Sequence, residues 1–204
     1  MTSMPRDEET VLAFPGPRAF VRRATEYRST WIVSSLQTLR ERGHFDDYNQ
    51  HLKTHRETIL GSVAGVWLSM EIPRAHYEAC EALGLDADEQ FTMGLAVGER
   101  AQGSLLATVV KTARGAGVTP WTILPLVDRL WRRGANGGAA AVFRLGPKEA
   151  RCEFVGCELF DIPYFRHAFR GVLHGIAVKF CAKHYVHDVA TRATGEAIFR
   201  MQWV

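Results

Sequence analysis

The 204-residue chain has no apolar run near the about eighteen residues that a membrane span needs; its longest, residues 103–110 and 121–127, fall well short. Its first ten residues carry acids and a proline where a secretory signal would show a basic start and an apolar core, so a cytoplasmic location is expected. Cysteine is scarce. Cys80, Cys152, Cys157 and Cys181 form no CxxC pair and no small-scaffold framework, and they read as free thiols. Neither charge dominates: 25 basic residues are interspersed with 22 acidic ones, which excludes the basic surface of a nucleic-acid protein. The motifs GxSxG, HExxH, GxGxxG and GxxxxGK[ST] are absent, so no catalytic residue is assigned.

What is present is an ordinary globular composition, 47% hydrophobic and 23% charged, enough for one domain with a substantial core. Residues 1–17 end in Phe14-Pro15-Gly16-Pro17 and read as an arm leading into a domain over 18–204. Apolar residues at helical spacing predict a helix over 18–42, short helices over 46–53 and 56–67, one around Pro73 to Leu83, and a long one over 91–113. That last segment carries Gly94, Gly98 and Gly103, whose spacing implies that another helix or a ligand comes close, with packing against a helix the favoured reason. Thr119-Pro120 opens a further helix that stops at Gly134.

From residue 139 the period changes to two. Runs 139–145 and 151–155 predict a hairpin, 163–183 a long helix, and 184–192 with 196–204 a second hairpin turning near Gly195. The expected class is α+β: a helical N-terminal two-thirds on a small antiparallel sheet of about four strands, with a long helix between two hairpins.

Cys181, His184, His187 and Asp188 are zinc-ligand types, but strand alternation sends His184 and His187 to opposite faces, so no metal site is expected. His174, flanked by Gly171 and Gly175 on an apolar helix, is a candidate polar contact to a ligand. Cys152 and Cys157 have opposite strand parity, which argues against a disulfide. Trp31, Trp67, Trp121, Trp131, Phe165, Phe169, Phe180 and Trp203 supply bulky apolar walls for a cavity or a core. Arg129, Arg132 and Arg133 form a basic cluster at a helix end.

Residues 171–182, Asp188 to Arg192, Gly195 and the alternating Phe199 to Trp203 resemble the end of the four-vinyl reductase domain, a small-molecule-binding module; the resemblance spans residues 138–204. With its helical front the whole chain resembles an uncharacterised myxobacterial paralogous family of about 200 residues. The wider superfamily includes vesicle-tethering transport-particle subunits and heme nitric-oxide-binding proteins. It implies helices packed on a small antiparallel sheet around an apolar cavity. Where phenol sensors of the vinyl-reductase type hold zinc with an acid and cysteines, Asp188 remains acidic but Thr191 and Phe199 stand at the cysteine positions, so zinc is not expected. The tyrosine-serine-arginine motif of the heme nitric-oxide proteins is absent; Tyr27-Arg28-Ser29 has a different order.

The resulting expectation is a non-enzymatic small-molecule-sensing or adaptor domain. Its ligand would be apolar: an acyl chain, an aromatic or heme. His174 and Cys181 would be polar contacts, with Trp121, Phe169 and Phe180 as walls. Two alternatives stand beside it: a homodimeric protein-interaction module with a filled core, and an enzyme using Cys181 or Cys157 with a histidine.

Overall fold

A computed structural model describes residues 8–101, 119–181, 183–189, 191 and 193–204. The predicted continuation of the 91–113 helix, with Gly103, lies outside them. The class is α+β as expected. The helical front comprises α1 (Ser29–Glu41), α2 (Phe45–His51), α3 (Arg56–Leu60), α4 (Glu71–Glu81) and α5 (Ala87–Ala101). Asp86 Oδ1 caps α5 by accepting from the amides of Asp88 (3.0 Å) and Glu89 (2.8 Å). After residue 119, α6 (Pro120–Ile123) passes through a 3-10 turn at Leu124–Leu126 into α7 (Val127–Gly134). Pro125 lacks the amide that a continuous helix would use. No described helix is long and apolar enough to cross a membrane.

The main sheet has five antiparallel strands rather than four, in the order β1-β5-β6-β8-β7: β1 (Glu9–Leu12), β5 (Ala139–Gly146), β6 (Glu149–Val155), β7 (His184–Val189) and β8 (Ala197–Trp203). The extra strand comes from the segment read as an arm, in which Thr10 pairs with Phe143. In register, Cys152 lies between Val142 and Phe199, and Phe154 between Ala140 and Ala197. These residues make one buried face. The other parity carries Glu149, Arg151, Glu153 and Arg200. Buried Glu153 is held by Arg18 (2.5 Å) and Arg151 (2.8 Å), and Arg18 also pairs with Glu196. The long helix α8 (Pro163–Ala177) connects the two hairpins.

The predicted 18–42 helix is corrected to α1 alone. Residues 18–20 make a 3-10 turn, and Glu26–Arg28 becomes β2, the centre of a second sheet between β3 (Trp67–Ser69) and β4 (Ala135–Asn136). Partners on both sides satisfy its backbone, and that long-range pairing overrides local helical spacing. Helix α8 also ends six residues earlier than the predicted Lys183, because the chain turns back to deliver β7 along it.

The helical layer joins the sheet layer chiefly through α5 and α8. Their glycines meet face to face: a Cβ on Gly94 would overlap the Ala168 carbonyl, and one on Gly171 would stand 2.7 Å from the Leu95 nitrogen and overlap the Phe91 carbonyl. The predicted close packing is therefore backbone against backbone.

Candidate functional site

Between α1, α7, α8 and the buried sheet face, Trp31, Leu130, Trp131, Phe169, Val172 and Ile176 surround an apolar crevice of about 40 Å³. That is room for about two or three water-sized molecules. A second space of about 30 Å³ adjoins it, and both share Tyr27, Trp31, Phe169 and Val172. The rest of the interlayer volume is filled by rings. Trp131 stacks on Phe160 (centroids 5.7 Å apart), while Phe169 meets Phe154 (4.9 Å) and Phe160 (5.2 Å) edge to face. Gly134 lets Trp31 close one side; a Cβ there would stand 2.5 Å from its indole nitrogen.

Among the described residues no histidine, cysteine or methionine lines either space. Tyr27 lines both spaces, and Tyr77, Tyr164 and Ser35 line the second. Tyr27 hydroxyl lies 3.5 Å from that of Tyr77, and burial raises the pKa of Tyr27 well above its usual value. A buried phenol of this kind stays protonated at pH 7.

Of the predicted contacts, the structure places Phe169 in the crevice wall. Phe180 packs just beyond it, on Ile123, Val172 and Ile176. His174 stands on another face of α8, since five residues from Phe169 turn a helix by about 140°. Its ring meets Phe91 edge to face (5.1 Å) and lies 4.0 Å from that of His184. His184 is buried, and neither of its ring nitrogens has a hydrogen-bond partner among the described residues. Burial lowers the pKa of both histidines, so they are neutral at pH 7. Cys181 is half-buried, its thiol donating to the Ala177 carbonyl at 3.4 Å. Trp121 is remote: it packs edge to face on Trp203 (4.9 Å), donates to the Pro147 carbonyl (2.7 Å) and lies under the Arg144 guanidinium.

The zinc-type residues are divided as strand alternation implies. His184 faces inward; His187 is exposed and stacks on Tyr185; Asp188 pairs with Arg166 at 2.9 Å. Among the described residues no three histidine, cysteine or acidic side chains gather as a metal would require. The thiols are not activated either. Burial pushes Cys157 up to about 12 and raises Cys181, the reverse of what a nucleophilic thiolate needs.

Sequence reasoning did not single out a buried polar relay inside the helical layer. His76 on α4, fully buried, meets Tyr48 hydroxyl through Nδ1 (2.7 Å) and Ser35 Oγ through Nε2 (3.0 Å). With Tyr48 donating and Nε2–H donating to Ser35, both ring nitrogens of a neutral imidazole are satisfied. The available signal was His76 beside Tyr77 and one turn before Cys80 on an apolar helix face.

No protein-family model and no curated protein matches the chain. Solved structures do. A Cs H-NOX variant carrying 4-cyano-L-phenylalanine is 15% identical over 86% of this chain and 96% of its own, with a TM-score of 0.56. An oxygen-binding H-NOX domain related to soluble guanylate cyclases, solved as its oxygen complex, is 16% identical over 85% and 91%, at 0.55. A mutant H-NOX of T. Tengcongensis is 15% identical over 86% and 96%, at 0.54. The chain thus shares the H-NOX fold along most of its length.

Proposed function

We propose that this chain is a small-molecule-sensing domain built on the H-NOX fold, whose apolar crevice takes a compact apolar ligand without heme. The observation that carries this reading is the crevice itself: an apolar space at the junction of the helical and sheet layers, in a fold whose solved relatives include an oxygen complex. A ligand there would touch α1, α7 and α8 together, so its binding would bias their relative positions.

Heme does not fit the residues present. Among the described residues the crevice walls offer no histidine, cysteine or methionine as an axial ligand and only the buried Tyr27 phenol, and a space of about 40 Å³ ringed by packed aromatic side chains is far smaller than a macrocycle. His174 and His184 carry imidazoles, but away from the crevice.

The test is native mass spectrometry with a visible absorption spectrum of freshly purified protein, followed by melting in the presence of benzene and indole. An added apolar mass, or a rise in Tm with the probes and no Soret band, is the expected result. Phe169→Ala should lower stability by about 3–5 kcal/mol and enlarge the crevice, so that benzene then raises Tm more than in the parent. A Soret band refutes the heme-free reading. A bare chain whose Phe169→Ala variant gains nothing from benzene refutes a ligand crevice altogether.

The tightness of the ring packing favours a second reading, a homodimeric interaction module with a filled core. In it β7, an edge strand with Tyr185 exposed, would pair with a second copy. Sedimentation at several concentrations decides: a monomer throughout removes it.

A further inference from the structure

Among the described residues a much larger hollow lies away from the crevice, a groove of about 490 Å³ between segment 15–22, Trp67 and the turn 132–138. Gly137 and Gly138 form its floor in left-handed conformations (φ 105° and 65°), and the Gly138 amide donates to the Arg22 carbonyl at 2.7 Å. That bond fixes the turn beside Arg22. Phe20 stands on the rim with 83% of its surface exposed, so it contributes little to the core. Trp67 is half-buried, with the Arg28 guanidinium 4.2 Å over its ring.

Among the described residues the charged ones lining the groove are Arg22 and Arg132, both basic, and none is acidic. Arg132 is committed to Asp128 at 2.6 Å, and the nearby Glu26 accepts from the Asn136 amide at 2.6 Å. Arg22 is exposed and makes no ion pair among the described residues. Among the described residues the groove therefore combines a guanidinium without an ion-pair partner with the exposed ring of Phe20 and the half-buried ring of Trp67. A guanidinium matches a carboxylate through two parallel hydrogen bonds, and flat rings pack on flat rings.

We propose that this groove binds a planar aromatic carboxylate, its ring against Phe20 and Trp67 and its carboxylate on Arg22. Among the described residues this site shares no lining residue with the apolar crevice, although Trp131 of the crevice wall donates to the Gly137 carbonyl at 2.9 Å, and it would give the domain a second, anionic class of ligand.

The test is a titration of the isotopically labelled full chain with 2-naphthoate, read by amide, indole and methyl resonances, with 2-naphthamide as the uncharged control. The expected result is saturable shifts at the Gly137 and Gly138 amides and the Trp67 indole, with a Kd at or below about 1 mM. Arg22→Ala and the uncharged amide should each weaken binding about tenfold or more, and Phe20→Ala should weaken it by about fivefold. Both side chains are exposed, so both variants keep the parent Tm. Absence of saturable shifts, equal binding of naphthamide, or indifference to Arg22→Ala overturns the proposal. So do shifts confined to the Leu130 and Val172 methyl groups, which would mark the crevice instead.

Discussion

Gly94→Ala is expected to lower the unfolding free energy by about 3 kcal/mol, far more than an alanine usually costs in a helix. In isolation the substitution would favour the helix by about 1 kcal/mol. Here the new methyl would overlap the carbonyl of Ala168, a backbone atom with no rotamer to yield, so α5 and α8 must separate and the apolar contacts between them loosen. Gly98→Ala on the same face is the control. Its Cβ would stand 3.1 Å from the Val172 Cα, a crowding the helices can relieve by a few tenths of an ångström, and the propensity gain offsets it. Urea denaturation of the two variants separates the cases. Equal midpoints for both would show that backbone contact between the helices does not set their stability.

The second large effect is acid sensitivity. Burial lowers the pKa of His76 from 6.5 to about 3, while the unfolded chain titrates at the ordinary value. Between those limits the unfolded state binds the extra proton. The stabilisation is therefore complete above about pH 6.5 and is lost as pH falls toward 3, with a slope of about 1.4 kcal/mol per pH unit. From pH 6.5 to 4.5 the chain should lose on the order of 2–3 kcal/mol through this residue alone. His174 and His184 are shifted the same way and add to the loss. His76→Phe should be less stable at pH 7, because Tyr48 and Ser35 lose their partner, yet show a visibly shallower decline on acidification. A decline as steep in the variant as in the parent would clear His76 of the effect.

The back half of the fold was legible because its signals are local. The second hairpin alternates buried and more exposed positions about a glycine turn, the first is two short runs joined at Gly146-Pro147, and α8 shows one apolar side over fifteen residues. Where elements depend on distant partners, spacing failed. β1 is four residues long and exists because β5 offers an edge. β2 looked helical because Tyr27 and Trp31 are four apart, and only β3 and β4, drawn from residues far along the chain, make it a strand. The crevice was half legible. Trp31, Trp131 and Phe169 stood out as bulky, whereas Leu130 and Val172 are ordinary core residues until the layers come together. Helical phase alone separates His174 from Phe169, so that division can be read from the sequence. Trp121 could not, since its place depends on a 3-10 turn at Pro125 and on contact with Trp203. The groove beside Arg22 was invisible because it is walled by three segments that meet only in the fold.

The glycine contact between α5 and α8 also has a mechanical side. Two helices pressed backbone to backbone have almost no side-chain cushion to compress, and so they behave as one stiff plate. Val172 and Ile176 ride on that plate and give the crevice an unyielding wall, while Trp31 on α1 and Leu130 and Trp131 on α7 form the wall opposite. Any guest larger than the present space must therefore displace α7 or swing Trp31. Helix α7 runs directly into β4, so the push would be delivered to the small three-stranded sheet rather than spread through the helical layer.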